Sequence, residues 1–90
     1  MKLDFTGKTA VIFGASRGIG EAIATEIAVA GAKVYVAARS EKSSLGVKEK
    51  LLAEGYQAEA CIADVSKYDD VDAVITKAIG ETGRLDIVVN

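Results

Sequence analysis

The feature that most limits the fold is a short apolar run that ends in glycines and passes straight into a helix-period segment. Ala10, Val11, Ile12 and Phe13 are apolar without alternation, as in a strand covered on both faces. Gly14-Ala15-Ser16-Arg17-Gly18-Ile19-Gly20 follows at once. Ile19, Ile23 and Ile27 then recur every four residues, which predicts a helix over about 17–30 with that stripe against a sheet. A buried strand feeding a helix through a tight turn is the opening of a βαβ unit in a parallel sheet.

The same alternation continues to the last residue. A second strand is predicted over 33–38, centred on Val34, Tyr35 and Val36. Its helix runs from 43 or 44 to 54, supported by Leu45, Leu51 and Leu52 and weakened at Gly46 by about 1 kcal/mol relative to alanine. The third strand, 57–63, alternates: Gln57 and Glu59 on one face, Ala58, Ala60 and Ile62 on the other, a pattern that suits a sheet edge. Ser66 followed by Asp69 resembles a capping box with Asp in place of Glu or Gln. Behind it Val71, Val74, Ile75, Ala78 and Ile79 give the clearest amphipathic helix in the chain. Gly31 sits where a left-handed cap ends the first helix, and Gly55 and Gly83 end the other two. A last strand begins near Leu85 and runs through Ile87-Val88-Val89 to Asn90. With right-handed crossovers, β-α-β-α-β-α-β predicts half of a doubly wound α/β sheet, strand order 3-2-1-4.

Composition removes whole classes of chemistry. Ninety residues allow one small domain and one core. With no histidine, Ser-His-Asp and Cys-His catalysis are excluded within the chain, and with a single cysteine neither a zinc cluster nor an internal disulfide is expected. Eleven Lys+Arg against 13 Asp+Glu leave a net charge of −2, which argues against a nucleic-acid or anionic-membrane binder. No apolar run reaches the length of a membrane span, and the first residues do not read as a signal peptide, so a cytoplasmic protein is expected. Cys61 reads as a small buried apolar residue. Asp69-Asp70-Val71-Asp72 reads as a helix N-terminus favoured by the dipole.

Each glycine of the turn has a physical role. Gly14 lets the chain turn off the strand, Gly18 lets a phosphate approach the backbone, and Gly20 lets the helix pack closely on the sheet. Free amides and the helix dipole at that end favour a pyrophosphate. The spacing is G-x-x-x-G-x-G, and no Lys-Ser/Thr follows it, so it is not a P-loop. At the end of the second strand, where an acidic residue would take the ribose hydroxyl of NAD, stands Arg39. Arg39 and Arg17 together suit the 2′-phosphate of NADP(H), which they would favour over NAD(H). The plainer alternative is two solvated arginines, with Glu41 drawing Arg39 away. Asp64-Val65 lies at the same rim, within reach of an adenine ring, or else Asp64 caps the next helix.

Together these residues resemble the short-chain dehydrogenase/reductase family over residues 8–90, the amino-terminal third to half of a member. Gly14-Ala15-Ser16-Arg17-Gly18-Ile19-Gly20 is similar to the family's cofactor motif, although Phe13 stands where threonine is usual. The resemblance implies a Rossmann-type fold and an oxidoreductase, similar to members that reduce 3-oxoacyl-carrier proteins. It implies cofactor contacts at Gly14, Ser16, Arg17, Gly18, Ile19, Gly20, Arg39, Asp64, Val65 and Asn90. Asn90 would be the first residue of the family's Asn-Asn-Ala-Gly segment. The family's catalytic Tyr-x-x-x-Lys is absent: Tyr35, Tyr56 and Tyr68 are followed four residues on by Arg39, Ala60 and Asp72. The expectation is therefore a truncated dinucleotide-binding domain, inactive alone and without catalytic or metal-binding residues. A last strand apolar on both faces predicts a homo-oligomer or a domain-swapped assembly. Three readings stand: part of an NADP-dependent oxidoreductase, a nucleotide-binding module without catalysis, or a structural half-domain.

Overall fold

The computed structural model describes residues 3–14 and 18–90. Along the chain lie β1 (Thr9–Phe13), α1 (Gly18–Val29), β2 (Lys33–Ala38), α2 (Glu41–Ala53), β3 (Ala58–Ile62), α3 (Tyr68–Thr82) and β4 (Ile87–Val89). The four strands are parallel in the order β3-β2-β1-β4, the half-wound α/β arrangement that the alternation predicts. Every residue of β1 is buried, as is every residue of β2 after Lys33, which is why neither strand alternates in sequence.

Side chains of successive strand residues point to opposite faces, so the sheet carries two apolar layers. On one face Ala10, Ile12, Val34 and Val36 join Ala24, Ile27 and Ala28 of α1 and Val47 and Leu51 of α2. On the other, Val11, Phe13, Tyr35 and Ala37 join Val74 and Ala78 of α3. Tyr35 is fully buried, and its hydroxyl donates to Glu81 Oε1 at 2.7 Å, which satisfies the one polar atom it brings inside. Burial and the neighbouring Glu81 carboxylate push the phenol well above its usual range.

Several boundaries and faces differ from the sequence reading. Ser40 Oγ accepts the Ser43 N–H at 3.4 Å, so α2 starts at Glu41 and not at 43 or 44. Ser44, buried inside that helix, donates its hydroxyl to the Glu41 carbonyl at 3.1 Å, and Val47 faces inward while Leu52 is exposed. In α1 the inward face is Ile27 with the small Ala24 and Ala28, and Ile19 is 80% exposed and leaves the stripe. Ile62 has the parity of Ala58 and Ala60 but lies exposed at the carboxyl end of β3.

The Ser66–Asp69 capping box does not form. The N-cap is Lys67, which makes no side-chain capping bond, because Ser66 is taken by Asp64 two residues earlier. The helix ends match the reading: Gly31, Gly55 and Gly83 stand there at φ 109°, 87° and 79°. Among the described residues no helix is long and apolar enough to cross a membrane.

Candidate nucleotide site

The carboxyl ends of β1, β2 and β3 meet at one rim of the sheet, the end at which open α/β sheets place ligands. Gly14 leaves β1 at φ 72° with its N–H donating to the Ala37 carbonyl at 2.9 Å, and Gly18 opens α1 at φ 62°. Both sit in the left-handed region that disfavours other residues, and a Cβ on either would meet no atom of the described residues within 4 Å. Backbone rotation therefore favours glycine at both places, and no described residue fills the space in front of either. The first amides of α1, which no helical carbonyl can pair, lie at this opening.

Beside Gly14 lies a cleft of about 270 Å³, bounded by Ala38, Arg39, Ser40 and Ser43 on the β2–α2 side and by Ala63 and Val65 after β3. The ladder carries both walls to the same height, since the Ala63 N–H donates to the Ala38 carbonyl at 2.8 Å. Val65 is half exposed, an apolar surface suited to the face of a base. Arg39 extends into solvent, its side chain 83% exposed, with Nε 4.0 Å from Asp64 Oδ2. Its carboxylate neighbour among the described residues is Asp64, not the Glu41 that the sequence reading raised.

Asp64 is held from both sides. Its Oδ1 accepts from the Ser66 N–H at 2.9 Å and from the Ser66 hydroxyl at 2.6 Å. Its own N–H donates to Asp70 Oδ2 at 2.9 Å. The Ser66 bonds, with a smaller contribution from Arg39, hold the Asp64 carboxyl below the usual carboxylate range. Asp64 thus closes a turn rather than capping α3 with its side chain.

The structure brings Gly14, Arg39 and Val65 together around one cleft, with Asp64 against Arg39. Gly18, Ile19 and the half-buried Gly20 lie at the start of α1, outside the cleft wall. Asn90 follows the Ile12–Val89 pair by one residue, which sets it at the same rim on the β4 side. Ser16 and Arg17 lie outside the described residues. Sequence reasoning missed Ser40, Ser43 and Asp70. The Ser40-x-x-Ser43 spacing carried a capping signal for the two serines, and Asp70 was hidden within an acidic run. Cys61 is buried against a separate groove along the free edge of β3, and burial pushes its thiol up, which disfavours the reactive thiolate.

The family described as short chain dehydrogenase matches this sequence over residues 8–90. The 3-oxoacyl-[acyl-carrier-protein] reductase FabG of Escherichia coli is 39% identical over 88 residues, covering 98% of this chain and 35% of the reductase. A solved 7α-hydroxysteroid dehydrogenase, complexed with NADH and 7-oxo glycochenodeoxycholic acid, superposes with a TM-score of 0.93 at 37% identity, over 99% of this chain and 35% of that one. A metagenomic short-chain oxidoreductase in complex with NADP gives a TM-score of 0.87 at 36% identity, over 98% of this chain and 39% of that one. The chain thus spans between 35% and 39% of the length of these three proteins.

Proposed function

Because the chain belongs to the short-chain dehydrogenase family, we propose that its glycine turn and the adjoining cleft hold the adenosine–pyrophosphate part of a nicotinamide dinucleotide, with NADP(H) preferred. The observation that carries this reading is the cleft in which Gly14, Arg39 and Val65 meet at the carboxyl rim of the sheet. The donor set fits the group: open backbone at Gly14 and Gly18 for the pyrophosphate, Val65 for the adenine, and a guanidinium in place of an acid where the ribose would lie. Solved members of the family hold NADH in one case and NADP in another, which supports the cofactor class. The choice between the two rests on Arg39, joined in this reading by Arg17 and Ser16. Ile19 and Asn90 are assigned to the cofactor's path along the rim, Gly18 to close approach of the pyrophosphate and Gly20 to close packing of α1 on the sheet.

A nicotinamide cofactor supplies or accepts a hydride at a carbonyl or alcohol carbon. The residues of this chain bind and orient it, and no tyrosine here is followed four residues later by lysine. We therefore assign the oxidoreductase step to the whole protein and the binding of its cofactor to these residues.

Titration of the full-length chain with 2′,5′-ADP and with 5′-AMP tests the assignment, read on the amide signals of Gly14, Gly18 and Arg39. One charge-assisted contact to the extra phosphate, about 1.5–3 kcal/mol, gives roughly tenfold or greater preference for 2′,5′-ADP. Arg39→Ala is expected to erase most of that preference and to leave 5′-AMP binding nearly unchanged. Equal affinity of the parent chain for both ligands would remove Arg39 from its role, and no response to either would leave a structural half-domain.

A further inference from the structure

The Arg39–Asp64 pair has an asymmetry with functional consequences. Asp64 is fixed at three points: two bonds from Ser66 to Oδ1 and the bond from its own N–H to Asp70. That leaves Oδ2, which faces Arg39 Nε at 4.0 Å. Arg39, by contrast, extends into solvent, and its guanidinium makes no side-chain hydrogen bond among the described residues. A carboxylate already held by its neighbours beside a solvent-exposed guanidinium can act as a parking place, because only one partner has conformational freedom left to lose when they meet.

We infer that Asp64 is a specificity-determining counter-ion for Arg39, holding the guanidinium when the bound ribose carries a free 2′-hydroxyl and competing for it when the ribose carries a 2′-phosphate. This rests on the nucleotide reading of the cleft and deepens it. Two effects act with one sign. A 2′-phosphate must draw Arg39 from Asp64, and it must approach a fixed negative charge. Both weaken binding of the phosphorylated ligand relative to the unphosphorylated one. The acid thus tempers a preference that Arg39 creates.

Asp64→Asn is the informative variant, since an amide oxygen still accepts both Ser66 bonds while the charge is gone. Affinities of the full-length chain for 2′,5′-ADP and 5′-AMP are measured for the parent, Asp64→Asn, Arg39→Gln and the double variant. Contact of Asp64 with adenine, or a general loosening of the loop, changes both affinities alike and cancels in their ratio. The expected result is a rise of about two- to fivefold in preference for 2′,5′-ADP in Asp64→Asn, the range for an exposed ion pair. In the Arg39→Gln background the same change is expected to have less than half that effect. A parent chain that binds both ligands while Asp64→Asn keeps or lowers the ratio overturns the inference and leaves the nucleotide reading standing. An equal rise with and without Arg39 overturns it too, because the charge then acts on the phosphate alone. A parent chain that binds neither ligand brings down both.

Discussion

Asp86 fastens β4 to β1 through its backbone amide and its carboxylate. Its N–H donates to the Thr9 carbonyl at 2.9 Å, and its Oδ2 accepts the Thr9 N–H at 2.8 Å. Arg84 closes the cluster with a two-pronged grip, Nε to Oδ2 and Nη2 to Oδ1, each 2.8 Å. Arg84 first, and then the Thr9 amide, bring the Asp86 carboxyl down to about 2 from its ordinary 3.8. A group with a depressed native pKa stabilises the fold fully above the unfolded value, near 4, and loses that contribution as pH falls to about 2. Asp4 and Asp64, lowered by Thr6 and Ser66, share the sign. Urea unfolding between about pH 5 and pH 2 is therefore expected to show falling stability, with a shallower acid limb and lower neutral stability in Asp86→Asn. Parallel acid limbs for parent and variant would show that the grip is formed equally in the unfolded chain.

At the scale of elements, α2 is the helix with the least support from its own sequence. Its inward face is only Ser44, Val47 and Leu51, and Gly46 interrupts it. A Cβ at Gly46 would meet nothing within 4 Å, and the same holds for Gly80 in α3, neither at positive φ. Gly46→Ala and Gly80→Ala are each expected to add about 0.8–1 kcal/mol, the helix-interior difference between the two residues. The measurement is a denaturant midpoint that rises at constant slope. A falling midpoint in either variant would mean that the bare backbone is in contact with something the open surface does not reveal.

β1 and β2 could be read directly, because burial on both faces forces an unbroken apolar run, and the glycines after each helix could be read because left-handed termini favour them. Capping is a competition between neighbouring acceptors, and there the sequence misled. Ser40 won the start of α2 from Ser43 and Ser44, and Asp64 claimed Ser66 before it could serve α3. Around the candidate cleft, the shared placement of Gly14, Arg39 and Val65 was legible from their positions at strand ends. Asp70 was not, since its bond to the Asp64 amide spans a turn whose path periodicity does not encode.

Across the whole molecule the two edges of the sheet are built differently. On the β3 edge, Lys48 reaches from α2, which covers one face, to Glu59 on the other, Nζ to Oε1 3.2 Å. An ammonium laid across an edge strand discourages another strand from pairing there. The opposite edge is β4, where Ile87, Val88 and Val89 follow one another without a charge and Val88 is 50% exposed. Strand addition should therefore occur at β4 and not at β3. The isolated 90-residue chain is expected to scatter light as a species heavier than its 9.3 kDa monomer, increasingly so with concentration. Val88→Lys places a charge on the exposed face of that strand and is expected to return the mass toward the monomer, because an edge lysine must be desolvated before a second strand can dock. Lys48→Ala makes the complementary test, since removing the guard should add association at β3 only if the lysine is what restrains it. A parent chain that stays monomeric at high concentration, or a Val88→Lys variant that associates as the parent does, would show that the apolar β4 edge is not a pairing surface.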